Sequence, residues 1–429
     1  MQGKLMKKII LSNCWSYKNK GDASIVYGTL DLLEETITDY EVSALTFDVN
    51  SFKDNKNKFN KNVKFLLMPS LIKPIDLMCR FLYGLNFINN KLLNEFSGLF
   101  FIYTQIYLFN IIRRFNKELD AVLKEIDECD LFISVGGNYL WSHSGLYIHL
   151  VPMIYAKTVN KPLILLGHTV GPFDFKYIDS WMRKIISNSD EVLVREDLSK
   201  KYLKEYGIKN VVAISDMAFI IKTNINKIIQ QTNNDKSIGV TVRKYLFSEP
   251  EYFRRYIESM RRIIEYYASS GYSVYIFPFS YAPGKEQDIQ ISQYLKQVLN
   301  PQAQAKTEVI TLEDLSSYEI LDLFQKLNFK ILFGTRLHST ILAALVNIPS
   351  VTISYQHYKA YGITKQLKME KYIVKMEEIS YRNLKAMGNE LLNELDDKKH
   401  VLENTIDEMN KRTINTTKII FKKYLNKLH

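Results

Sequence analysis

Cysteine is scarce in this chain: three in 429 residues, Cys14, Cys79 and Cys129, far apart and odd in number. With no CxxC and no Cys/His ligand spacing, neither a disulfide framework nor a structural zinc site is expected, and a reducing cytoplasm is the natural setting. Long hydrophobic runs are missing too. A bilayer span needs about 18–20 apolar residues; the nearest stretch, LFFIYTQIYLFNII at 99–112, is short and broken by Thr104 and Gln105. The N-terminus begins basic but carries only a short apolar run, which reads as a first buried strand and not as a signal peptide. A cytoplasmic location is therefore expected. Acidic residues are outnumbered, 46 against 57 Lys and Arg, for a net charge of +11. That excess suits an anionic partner: a phosphate-bearing small molecule, nucleic acid or an anionic membrane face. The basic residues are scattered, without a basic-aromatic stripe, so nucleic acid is the least expected of the three. Hydrophobic residues at 46% and charged residues at 24% exclude disorder and collagen-like repeats.

What is present is alternation. Short β-rich runs such as IILSN (9–13), LFISVGG (131–137), PLILLG (162–167), EVLVR (191–195), SIGVTVR (237–243), KILFG (330–334) and SVTISY (350–355) are separated by segments of helical period. Continuous apolar strands alternating with helices predict an α/β chain whose mainly parallel sheets are covered on both faces. The pattern breaks once, at the polar stretch TNINKIIQQTNNDKS. The chain accordingly divides into a Rossmann-like domain over 1–222, a linker at 223–235, a second Rossmann-like domain over 236–375 and a helical tail over 376–429. Residues 65–116, rich in Leu, Ile, Phe and Tyr, read as an insertion in the first domain. They are either extra helices capping its core or a hydrophobic platform for a lipid-linked acceptor or the membrane surface, flanked by Arg80, Arg113, Arg114 and Lys117.

Several strand ends could carry chemistry. In Asn19-Lys20-Gly21-Asp22, Gly21 permits a tight turn and Asp22 can cap the following helix. Gly136-Gly137-Asn138 allows close backbone approach to a ligand, with Asn138 able to donate and accept, although tight βα packing would explain the glycines equally. Gly167-His168 is a third such end, where His168 faces the same cleft or is structural. Arg195 is expected to form an internal ion pair with Glu196 or Asp216. In the second half, Arg243 lies at the carboxyl end of a strand, where its guanidinium fork suits a carboxylate or phosphate. Gly334-Thr335-Arg336-Leu337-His338-Ser339 follows a strand and opens an apolar helix, so Ser339 lies near a helix N-terminus that favours an anion. An arginine with a titratable histidine two residues on suits acid chemistry on an anionic substrate; a capping cluster is the plain alternative.

Read together, these segments resemble the polysaccharide pyruvyl transferase family. The matching order is Asn19–Ile25, Gly136-Gly137-Asn138, Gly167–Pro172, Val194–Ser199, Asp216–Phe219, Arg243, and Thr335–Ser339, followed by a strand and Tyr355, Lys359 and Gly362. Met217 replaces a common proline, and Tyr355-Gln356-His357-Tyr358-Lys359 departs from the commoner Tyr-Asp-Pro-Lys. The resemblance implies two Rossmann-like domains facing a cleft, similar to the GT-B architecture. It implies transfer of the enolpyruvyl group of phosphoenolpyruvate onto two hydroxyls of a sugar or lipid-linked oligosaccharide, as a cyclic ketal of a capsule or exopolysaccharide. Phosphoenolpyruvate is then a co-substrate, and no cofactor or metal is expected. By matching position, Arg243, Arg336 and Ser339 look like phosphoenolpyruvate-binding groups and His338 like the general acid. Asn19, Gly21, Asp22, Gly136, Gly137, Asn138, His168 and Lys359 look like acceptor-side or cleft-loop residues. The competing expectations are a GT-B-type glycosyltransferase using a nucleotide sugar and a non-catalytic sugar-binding component of polysaccharide assembly.

Overall fold

The computed structural model describes residues 6–73, 75, 106–141, 146–173, 184–223, 236–244, 250–282, 287–355 and 357–426. Most of the apolar insertion, nearly all of the expected linker and Gln356 lie outside the described residues. The chain forms two compact units.

In the first unit the strands are β1 (Lys7–Cys14), β2 (Tyr40–Thr46), β3 (Val63–Leu67), β4 (Leu131–Leu140), β5 (Leu163–Val170), β6 (Glu191–Val194) and β7 (Val211–Ala213). They form one sheet in the order β3-β2-β1-β4-β5-β6-β7, with every pairing parallel. Ile9 of β1 lies opposite Val42 on one side and Leu131 on the other, which sets the register of the sheet centre. The central strands are largely apolar because parallel strands are buried on both faces; every residue of β5 is buried.

The second unit repeats the plan with β8 (Ser237–Thr241), β9 (Ser273–Ile276), β10 (Thr307–Val309), β11 (Ile331–Gly334), β12 (Ser350–Ser354) and β13 (Ile373–Lys375). Their order is β10-β9-β8-β11-β12-β13, again with every pairing parallel. Strand order reverses between β8 and β11, and the crevice outside the carboxyl ends at such a reversal is where open α/β sheets bind ligands. The helices around this sheet carry clear start signals. Ser316 makes a capping box with Glu319 at the head of the helix Ser317–Leu327, and Ser380 does the same with Asn383 at Tyr381–Asn393.

The unit boundaries differ from the sequence expectation. Residues 18–31 belong to the second unit, as do 217–411, while 412–429 belong to the first. The reason for the first difference is a set of bonds that local pattern does not reveal. The Lys20 amide donates to the Phe279 carbonyl at 2.9 Å and the Tyr281 amide to the Lys18 carbonyl at 2.8 Å. The buried Lys20 ammonium donates to the carbonyls of Glu313 and Leu315 at 2.6 and 3.0 Å. The tail is a helix, Leu395–Leu425. Its Asn410 donates to the Phe219 carbonyl within the second unit, and its Thr413 bonds the Ser215 amide within the first.

Candidate functional site

The site is built at the carboxyl edge of the second sheet. Thr241, the last residue of β8, accepts from the amides of Thr335 and Arg336 at 2.9 and 3.3 Å and lies 3.0 Å from the Ser339 hydroxyl. Ser339 also donates to the Arg336 carbonyl at 2.5 Å. Tyr256 ties the same two strand exits from the other side: its hydroxyl accepts from the Arg243 amide at 3.2 Å and lies 3.0 Å from Thr335 Oγ1. These bonds hold the turn after β11 against the turn after β8, so Arg243 and Arg336 emerge on either side of the strand-order reversal.

Arg336 is buried, and its fork is engaged by the protein. Nε and Nη2 donate to the two oxygens of Asp288 at 2.8 and 2.6 Å, a bidentate pair. Asp288 Oδ2 also accepts from the amides of Phe279 and Ser280. Burial pushes the Asp288 carboxyl up, while Arg336, Arg243 and the Phe279 amide pull against it. No sequence motif pointed to Asp288, which lies 48 positions from its partner.

Arg243 is half-buried, with its guanidinium 4.3 Å from the centre of the Tyr355 ring. Lys359 Nζ lies 5.0 Å from the same centre and donates to the Tyr355 hydroxyl at 3.4 Å. Burial opposes ionisation of this phenol, but Lys359, Arg243 and Arg336 together outweigh it and pull Tyr355 down from 10 to about 8. Lys359, Arg243 and Arg336 thus all act on one aromatic residue, Arg336 with Asp288 as its counter-charge.

His338 lies in the first turn of the helix Leu337–Leu345 and is half-buried. Its neighbour is the strap at 18–24. A Cβ placed on Gly21 would lie 2.5 Å from His338 Nδ1, so the absence of a side chain at 21 makes room for the imidazole. Asn19 accepts from the Gly21 amide at 3.2 Å and bridges to Ser280, next to the Asp288 amide contacts. Asn19 and Gly21 therefore sit beside His338 in the second unit. Asp22 is in the first turn of the helix Lys20–Thr36. Ser339 is fully buried with its hydroxyl spent on Thr241 and the Arg336 carbonyl, so it shapes the turn; the expectation that it touches substrate is not what the geometry favours.

The first unit treats its strand ends differently. Gly136 and Gly137 lie within β4, and a Cβ on Gly136 would meet the Gly167 carbonyl oxygen at 2.2 Å. The close approach that the glycine permits is to β5. His168 lies within β5 and is fully buried. Its Nε2 donates to the Ser134 carbonyl at 3.1 Å and is 2.9 Å from Ser134 Oγ, which accepts from Asn13 Nδ2. Burial, with help from Arg195 and His149, lowers its pKa to about 3 despite the Ser134 carbonyl, so it is neutral. It is a core histidine and not a cleft residue. The expected ion pair is present: Arg195 Nη1 donates to Asp216 at 2.7 Å and Nε to Thr169 at 2.7 Å. Asn138 is half-buried towards the end of β4; the next residue, Tyr139, stacks on His149 at 4.8 Å, with Trp15 6.3 Å from Tyr139.

With this geometry in place, a family model described as polysaccharide pyruvyl transferase matches residues 19–357. The chain belongs to the polysaccharide pyruvyl transferase family. It is 23% identical over 421 residues to the amylovoran biosynthesis protein AmsJ of Erwinia amylovora, covering 90% of this chain and 92% of that protein. Among solved structures it is similar to S. aureus MnaA in a co-structure with UDP, at 12% identity and TM-score 0.56, covering 98% of this chain and 97% of that one. The UDP-GlcNAc 2-epimerase from Neisseria meningitidis bound to UDP-GlcNAc is similar at 13% identity and TM-score 0.56, covering 95% and 99%. The α/β fold of this family member is thus shared with GT-B-like UDP-sugar enzymes. Among the described residues no helix is long and apolar enough to cross a membrane.

Proposed function

We propose that this chain transfers the pyruvyl group of phosphoenolpyruvate onto two hydroxyls of a sugar in a surface polysaccharide or its lipid-linked precursor, as a cyclic ketal. The observation that carries this reading is the gathering of Arg243, Arg336 and Lys359 around Tyr355 on the edge where His338 also lies. A small molecule carrying both a phosphate and a carboxylate would use that positive charge. Arg243 and Lys359 are the groups assigned to direct contact. Arg336, already held by Asp288, adds a fixed positive field and orients the turn that presents His338.

The chemistry follows from these parts. His338, as imidazolium, gives its proton to the methylene carbon of phosphoenolpyruvate, leaving positive charge on the central carbon. One sugar hydroxyl bonds that carbon, and its proton returns to the imidazole of His338. The second hydroxyl then forms the other C–O bond as the carbon–oxygen bond to phosphate breaks, its proton leaving with the phosphate, so inorganic phosphate departs and the ketal ring closes. A placed acid of this kind typically contributes about 10²–10⁴-fold.

The test is release of inorganic phosphate from phosphoenolpyruvate in the presence of the host's lipid-linked or soluble glycan, followed by mass analysis of the glycan. Phosphate release with gain of one pyruvyl ketal is expected. Consumption of a UDP-sugar with UDP release, and none of phosphoenolpyruvate, would replace this reading by a glycosyltransferase.

A further inference from the structure

The residue with no assigned part in that chemistry is Tyr355, although two cations are arranged on it. We propose that Tyr355 is a positioning residue of the anion site, whose ring holds Arg243 and Lys359 together and whose hydroxyl sets how much of their charge is left for the substrate. The inference rests on the proposed phosphoenolpyruvate reading. Its geometric ground is independent of any ligand: the guanidinium at 4.3 Å and the ammonium at 5.0 Å from one ring centre, with Nζ 3.4 Å from the hydroxyl. The negative face of an aromatic ring attracts a cation. Here one ring serves two cations that would otherwise repel each other, and so keeps them assembled before the substrate arrives.

The hydroxyl makes the arrangement pH-dependent. The charged groups acting on it come from three elements: Lys359 from the helix His357–Gln366, Arg243 from the turn after β8, and Arg336, with Asp288 behind it, from the turn after β11. With the phenol protonated, Tyr355 offers the two cations no counter-charge of its own. When it ionises, its proton passes to solvent and the phenolate becomes a resident counter-ion to Lys359 and Arg243, competing with the incoming anion. By linkage, a bound anion must raise the pH at which Tyr355 ionises.

The experiment compares wild type with Tyr355→Phe and Tyr355→Leu, using KM for phosphoenolpyruvate across pH 7 to 9.5 and the ultraviolet difference absorbance of tyrosinate. With the phenol titrating at about 8, wild-type KM is expected to rise about 30-fold by pH 9.5, and Tyr355→Phe to remove that rise. At pH 7 the Phe variant, which keeps the ring, should stay within about threefold of wild type, while the Leu variant should lose about tenfold in KM with kcat little changed. An alkaline rise that persists in Tyr355→Phe, or an unchanged KM in Tyr355→Leu, overturns the inference. The absorbance titration separates the two claims. A tyrosine ionising near pH 8 in wild type and missing in Tyr355→Phe, with a midpoint that phosphoenolpyruvate does not move, rejects the substrate while keeping the cluster. No such tyrosine rejects the cluster itself.

Discussion

The two sheets place histidines and arginines at corresponding edges and use them in opposite ways. In the first unit His168 is fully buried and neutral, and Arg195 is closed off by Asp216 and Thr169. Glu196 alongside accepts from Thr169 and Ser199, and burial raises its carboxyl to about 7 against the pull of Arg195 and those two hydroxyls. The charged groups there are paired within the protein, Arg195 with Asp216 and Glu196 with the hydroxyls of Thr169 and Ser199, which offsets their desolvation cost. In the second unit His338, Arg243 and Lys359 are half-buried, and positive charge accumulates around Tyr355. The same residue types in the same topology thus read as structure in one place and as a candidate site in the other. What separates them is burial and charge balance, not identity.

Substitutions can break that contrast. The largest effect is expected at the two histidines. His338→Gln should lower kcat by about 10²–10⁴-fold, while His168→Gln should keep turnover per folded molecule within about twofold; steady-state kinetics corrected for the folded fraction decides it. Next is Asp288→Asn, which leaves a buried guanidinium without its carboxylate. A loss of about 3–5 kcal/mol in stability is expected by denaturant unfolding, with a raised KM for phosphoenolpyruvate as Arg336 shifts. Gly21→Ala follows: the added methyl pushes the imidazole of His338 aside, and kcat should fall about 10–100-fold with KM nearly unchanged.

The smallest effect sharpens the first-unit half of the comparison. His168 has a folded pKa of about 3 against an ordinary 6.5. A depressed imidazole contributes stability that is fully present above 6.5 and is lost as pH falls through 6.5 towards 3. Replacing it removes that loss. The stability deficit of His168→Gln at pH 7.5 should therefore narrow by about 2 kcal/mol at pH 5, read from unfolding curves of the two proteins at both pH values.

Much of the fold was legible because parallel strands covered on both faces must be continuously apolar, and turns must separate them from helices. IILSN, LFISVGG and KILFG all stand as central strands for that reason. The candidate site could be read from sequence only in its local parts: Arg336 and His338 share one turn, and Arg243 ends a strand. It was not legible where distant chain segments meet. Nothing around Asn19 reveals that Lys20 reaches the carbonyls of Glu313 and Leu315, so sequence order alone places the strap at 18–24 with the sheet it follows. Asp288 opens an ordinary helix, and only the folded chain sets it against Arg336. The glycines at 136 and 137 invited a ligand because strand-to-strand crowding by the Gly167 carbonyl is invisible until the register of β4 and β5 is known.

The most direct test of proton delivery to carbon is to run the transfer in deuterium oxide and weigh the glycan product. One deuteron in each ketal methyl group is predicted for the wild-type protein, with product formation collapsing in His338→Gln. A ketal formed without deuterium, or formed as fast by His338→Gln, would contradict it.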